Sequence, residues 1–264
     1  MPEQPPDPGF RNPDGSASFD DLVRNLDYFD DTDYVVEVRR VLQHLIGAGP
    51  GMRLLDAGCG TGRDVASIAS SAPGCEVVGI DISYRMVALA RDRHGRVPGV
   101  EFRQGTMEAL ELPDAGLDAV WSMRTVQYLA DPLAGVRELG RVTRPGGRVI
   151  LIEGALSGTG LPESDLTRSV FGPRGGFGLQ LPGLLWQAGL RDIDVRPAVG
   201  RAIGTPDPKV LEYARSQVAA ALDAGLADEG EAERWLAGVE EQAREGRWFS
   251  IDCMLVVSGT VPAA

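Results

Sequence analysis

The chain has 264 residues, 43% of them hydrophobic, with 38 acidic against 26 basic side chains and a formal net charge of -12. That length supports one large α/β domain with additions, and the acidic field repels phosphate backbones and anionic membrane surfaces, which argues against a nucleic-acid substrate. No apolar run approaches the ~20 residues of a membrane helix, and the opening "MPEQPPDPGFRNPDGSAS" lacks the basic flank and apolar core of a signal peptide, so the cytoplasm is the expected location.

Residues 1–18 are too rich in Pro, Gly, Asp and Ser to bury much surface and are expected to form a disordered tail ahead of a single domain over 19–264. Two helices are expected within 19–49. "FDDLVRNLDYF" is amphipathic, and "YVVEVRRVLQHLI" repeats Val35, Val38, Leu42 and Leu45 at helical spacing. The core, 50–155, alternates strand and helix: "RLLDA", then "RDVASIAS", "EVVGID", "SYRMVALARDRH" with Ser83 as N-cap, "VEFRQG" and "LDAVWS". Asp131 and Pro132 open the helix "PLAGVRELGRVTR", and Pro145 with two glycines stops it before the strand "RVILIE". This alternation predicts a doubly wound, Rossmann-like α/β fold with a parallel sheet and helices on both faces.

Over 156–264 the rhythm changes. A long glycine-rich connection precedes the helical "LQLPGLLWQAG" and the strand "RDIDVRPAV". Two helices are then inserted as a lid before the last strand, "FSIDCMLVVSG"; their stripes are Val210, Ala214 and Val218, and Trp235, Val239 and Ala243.

In "RLLDAGCGTGRD" a strand runs into Gly58, Gly60 and Gly62 before a helix begins. Glycines so spaced need a backbone reason, either positive φ or close contact with a ligand. The order D-x-G-x-G-x-G differs from the dinucleotide fingerprint, and Asp56 beside the turn repels a pyrophosphate but attracts an α-amino group. Asp81 ends the second strand, where a carboxylate can accept hydrogen bonds from ribose hydroxyls or cap the next helix. The two motifs together point to a nucleoside. Cys59, Cys75 and Cys253 are widely spaced without a metal-ligand pattern and read as reduced structural thiols, so no metal is expected.

In chain order, "LLDAGCGTG", "VVGIDIS", "LDAVWSMRTVQYLADP" and "RVTRPGGRVIL" resemble the cofactor loop, ribose acid, fourth strand with its following helix, and fifth-strand entry of class I S-adenosylmethionine-dependent methyltransferases of the small-molecule, secondary-metabolite type. The resemblance implies a seven-stranded sheet with an antiparallel last strand, S-adenosyl-L-methionine as cofactor, and methyl transfer to a small, largely apolar acceptor. The alternative is a methyltransferase-like enzyme that binds the cofactor but catalyses cyclisation or another non-methylating step. The resemblance also places Asp56 and the backbone of Gly58, Cys59 and Gly60 at the methionine end, Asp81 on the ribose, and Ile82 and the Met107 backbone against adenine. Thr106 stands where many relatives carry an acid for the adenine amino group, and Ser122 is expected to face the methionine part.

On the acceptor side, Tyr28 and Tyr34 stand in the helices that fold over the cofactor in that family. Arg124 is placed either to bind a carboxylate of cofactor or substrate or to form a surface ion pair, and Arg63 shares that choice. Gln127 and Tyr128 occupy the stretch where small-molecule relatives often carry histidine. His44 and His94 read as surface or packing residues, so no catalytic residue is named. The expected partner is a small molecule, not nucleic acid or membrane, and a homo-oligomer is left open.

Overall fold

The strand β1 (Arg53–Ala57) buries Leu54 against one layer of helices and Leu55 against the other, which is why its sequence is apolar at both parities. It is the third strand across a seven-stranded sheet in the computed structural model of the chain, which describes residues 10–16, 19–159, 176–204, 208–223, 225 and 227–263. The other strands are β2 (Glu76–Asp81), β3 (Val100–Gln104), β4 (Leu117–Met123), β5 (Thr143–Thr159), β6 (Arg191–Gly204) and β7 (Trp248–Thr260). Their order is β3-β2-β1-β4-β5-β7-β6, with β1 to β5 parallel and β7 antiparallel to both β5 and β6. Strand order therefore reverses at β1, and the crevice between β1 and β4 opens at the carboxyl edge.

One face of the sheet is covered by α2 (Asp33–Ile46), α3 (Arg63–Ser71) and α4 (Tyr84–His94), which bring Val38, Leu42, Ile68 and Val87 onto Trp121 and Ile152. The other face is covered by α5 (Pro132–Val142) and α6 (Leu181–Gln187), through Val136, Leu139, Leu181 and Leu185. The caps form at the expected positions: Ser83 Oγ accepts from the Met86 N–H at 3.1 Å, and Asp131 Oδ1 from the Ala134 N–H at 3.0 Å. α7 (Pro208–Asp223) and α8 (Glu229–Arg244) are inserted between β6 and β7 and bury Ala214, Val218, Val239 and Trp248 in a cluster of their own.

Three expectations are corrected. β5 is much longer than "RVILIE", because antiparallel pairing with β7 continues to Thr159 opposite Ser250. After β4 the chain makes a short 3-10 turn, Val126–Tyr128, where a helix was expected. Residues 10–16 do not belong to a loose tail. They fold onto the domain because Asp14 reaches the start of α4, accepting from Ser83 Oγ at 2.5 Å and from the N–H groups of Tyr84 and Arg85 at 3.1 and 3.2 Å. α1 (Phe19–Asp30) follows, with Phe19 and Leu22 buried on Met86. Most of the glycine-rich connection, 160–175, and the side chain of Val210 lie outside the described residues.

Candidate active site

The β1–β4 crevice holds a cavity of about 400 Å³. Its floor is the loop after β1, where Gly58, Gly60 and Gly62 have φ of 87°, 49° and 80°. These are left-handed values that an L side chain rarely adopts, so the glycines satisfy a backbone demand. They differ in what surrounds them. A Cβ on Gly58 would lie 2.2 Å from Thr125 Oγ1, and one on Gly62 would lie 2.7 Å from the Phe102 ring, whereas at Gly60 the nearest neighbour is Leu26 Cδ1 at 3.7 Å. Of the three, only Gly60 has room for a methyl group.

Asp81, at the end of β2, closes the loop from the side. Its Oδ2 accepts from the Gly60 N–H at 2.8 Å and its Oδ1 from the Ser83 N–H at 2.9 Å. Burial raises its carboxyl above the ordinary range while these two N–H groups pull it down. Asp56, at the end of β1, is buried and raised well above its ordinary value by desolvation first, then by Asp64 and Asp81. The Trp121 indole favours its charged form, but Nε1 makes no hydrogen bond of standard geometry. A cation entering beside Asp56 would therefore favour its ionisation.

Asp30, from α1, and Asp64, from the first turn of α3, complete an acidic wall that Arg39 of α2 joins. Arg63 lines the cavity and forms an ion pair with Asp31 at 2.7 Å. The roof is apolar. Leu26 descends from α1, and Phe10 sets its ring 5.7 Å from that of Tyr128. Arg124 has a φ of 56°, unusual for a side chain of its size, and holds its guanidinium 4.5 Å above the Phe29 ring.

Of the residues expected at the site, Asp56, Gly58, Cys59, Gly60, Asp81, Ile82, Thr106, Met107 and Arg124 line the cavity. Ile82 is 55% exposed there, a bare apolar side chain turned to the space. Ser122, Tyr28 and Gln127 are not in its wall. Ser122 is fully buried beside Leu151 because strand alternation gives the cavity to Met123. Tyr28 loses its place to Leu26 and Asp30, which share one face of α1 at i and i+4, and its ring packs on Phe29 instead. Gln127 turns away, and its backbone N–H donates to Glu153.

Sequence reading missed Phe10, Asp30, Asp64, Arg39 and Glu153. Arg39 had a signal, since it falls at i+4 from Val35 and i-3 from Leu42, inside the apolar stripe of α2. Phe10 had none. His44 and His94 lie in the last turns of α2 and α4, outside the cavity wall, and burial together with Arg93 lowers the His94 pKa.

Residues 55–151 match the family described as "Methyltransferase domain". The chain is 35% identical over 146 residues to a demethylmenaquinone methyltransferase of Beutenbergia cavernae, covering 53% of this chain and 58% of that protein. It is 34% identical over 152 residues to the 27-O-demethylrifamycin SV methyltransferase of Amycolatopsis mediterranei, covering 52% and 56%. The chain thus spans little more than half the length of these curated relatives. Among solved structures, the YcgJ protein of Bacillus subtilis superimposes with a TM-score of 0.61 at 18% identity, over 86% of this chain and 98% of that one, a likeness of fold. Over residues 55–151, which hold the glycine loop and the acids that end β1 and β2, this chain is similar to the methyltransferase-domain family.

Proposed function

We propose that the cavity binds S-adenosyl-L-methionine and that the protein transfers its methyl group to a small, largely apolar metabolite. The observation that carries this reading is the placement of Asp56 and Asp81 on two sides of one glycine loop, in a single cavity. The residues present fit the group. Asp81 keeps lone pairs for ribose hydroxyls beyond the two N–H bonds it accepts, Asp56 offers a desolvated acid to an ammonium, and Ile82 with Met107 forms an apolar slot for a flat base. When bound, the cofactor supplies an electrophilic methyl on a sulfonium.

The protein's part is alignment and exclusion of water. Leu26, Phe10 and Tyr128 cover the cavity with apolar surface, which strengthens the pull of the acidic wall on a cationic ligand. Among the described residues the cavity wall carries no histidine, and this supports a reaction driven by holding the acceptor in line, with no imidazole base. The homologous methyltransferases act on small molecules by name, which supports an acceptor of that class.

Isothermal calorimetry with the cofactor and with S-adenosylhomocysteine tests the first half. Incubation with methyl-labelled cofactor and a panel of metabolites, with products resolved by mass, tests the second. Micromolar binding and a product heavier by one methyl are expected. No binding of either nucleoside would refute the cofactor reading, and binding followed by a rearranged product of unchanged mass would favour the cyclising alternative.

A further inference from the structure

Glu153 is a fully buried acid at the carboxyl end of the β5 core, and it is not part of the cavity wall. Its Oε1 accepts from the Gln127 N–H at 3.3 Å, and the N–H groups of Thr125 and Val126 also face it, whereas Oε2 is buried with no hydrogen-bond partner. A buried carboxyl is costly, and an aliphatic side chain would fill the same space more cheaply. What an aliphatic chain cannot do is accept hydrogen bonds from backbone N–H groups at the start of a 3-10 turn.

The turn in question carries a contact to the glycine loop. Thr125 Oγ1 donates to Met123 O at 3.1 Å and lies 3.4 Å from Gly58 O, close enough that a Cβ on Gly58 would strike the threonine. Its neighbours Arg124 and Tyr128 line the cavity. A path of contacts therefore runs from Glu153 through the turn backbone to Thr125 and the cofactor loop.

We propose that Glu153 is a positioning residue for the nucleoside site: its Oε1 fixes the backbone of residues 125–127 and so presses Thr125 against Gly58. The inference rests on the S-adenosylmethionine reading of that cavity. Burial pushes the Glu153 carboxyl up to about 8, so near neutral pH the group is an uncharged acceptor. A glutamine can replace such a group, and a methionine cannot.

The test uses S-adenosylhomocysteine as probe. Glu153→Met should bind it about five- to twenty-fold more weakly by calorimetry, and the amides of 125–127 should exchange about tenfold faster with the rest of the core unchanged. Glu153→Gln should stay within about twofold of wild type in both measurements, and Thr125→Ala should weaken binding without adding to the loss in Glu153→Met. A Glu153→Met protein that binds and exchanges like wild type overturns the proposal, as does a Glu153→Gln protein as impaired as Glu153→Met, or a fully additive double variant. Should Glu153→Met not fold, exchange in the wild type decides: amides of 125–127 as labile as those of an exposed loop would refute the assignment. Failure of the wild type to bind the probe refutes the cofactor reading instead, while the exchange data still report on the turn.

Discussion

Arg39 donates from Nε to Asp64 Oδ1 at 2.5 Å, tying α2 to the first turn of α3 beside the glycine loop. The same guanidinium donates to Asp30 Oδ1 at 2.6 Å and to Asp30 O at 2.7 Å, so one side chain joins three helices around the cavity. Burial pulls Arg39 down, but Asp64 and Asp30 outweigh it and leave the group above its ordinary value. Asp30 shifts upward because its own burial outweighs Arg39, which holds one of its carboxylate oxygens and its main-chain carbonyl. All three side chains are about one-eighth exposed. Removing Arg39 leaves Asp64 without this ion pair and Asp30 with the more distant Arg63 at 3.8 Å, so Arg39→Met should cost about 3 kcal/mol by urea unfolding. Asp64→Asn in that background should restore part of the loss. Additive losses in the double variant would show that the contact contributes nothing specific.

The glycines of the loop should separate into two kinds. Gly62→Ala forces a methyl to within 2.7 Å of Phe102 and 2.9 Å of Ala90 Cβ at a φ of 80°, so it should destabilise the fold by roughly 2–4 kcal/mol. Gly60→Ala meets no clash and should cost only about 1 kcal/mol of stability, for the left-handed backbone. Its methyl enters the cavity, and it should weaken S-adenosylhomocysteine binding at least as much as Gly62→Ala does. Thermal melts paired with calorimetry read both quantities; equal stability losses would contradict the division.

Asp81→Ala removes the acceptor proposed for the ribose. Cofactor affinity should fall by about 2 kcal/mol, roughly thirtyfold, the scale of hydrogen bonds to a charged group. Because Asp81 also holds the Gly60 N–H, the melting temperature should drop slightly as well. Unchanged calorimetric affinity would remove the ribose assignment.

The N-terminal segment should behave as part of the site. Asp14→Ala deletes the acceptor for Ser83 Oγ, Tyr84 N and Arg85 N and should cost about 1 kcal/mol, as loss of a helix cap does. Phe10→Ala should cost about 1 kcal/mol through the lost pairing with Tyr128. In both variants proteolysis within residues 10–16 should accelerate and then slow when S-adenosylhomocysteine is added. Equal cleavage with and without the nucleoside would detach this segment from the site.

Stability should also fall as pH rises toward 8. Glu153 ordinarily ionises near 4.5, but burial holds its proton up to about 8 in the folded chain. Between those values unfolding releases a proton, so its contribution is complete below the lower value and lost as pH passes the upper one, with a slope of at most ~1.4 kcal/mol per pH unit. Glu153→Gln should flatten this part of the profile. The raised acids Asp30, Asp56 and Asp81 remain in both proteins, so the difference between their urea-unfolding profiles isolates Glu153. Parallel profiles would show that Glu153 ionises normally.

The sequence by itself determined what is local. Helical spacing of Val35, Val38, Leu42 and Leu45, the caps at Ser83 and Asp131, and the D-x-G-x-G-x-G turn after β1 each arise within a few residues, where periodicity and backbone conformation leave a readable mark. Those marks were enough to place β1 to β5 and much of the cavity wall around the glycine loop. Tertiary structure decided the rest. In a strand buried on both faces no alternation separates one side from the other, so nothing in "LDAVWSM" could say that Met123 and not Ser122 turns to the cavity. Arg39 meets Asp64 across 25 residues and Asp14 meets Ser83 across 69, contacts set by how helices pack on the sheet and not by any local preference. Glu153 looked like the end of one more strand, and it became an acceptor only when the turn after β4 was folded over it.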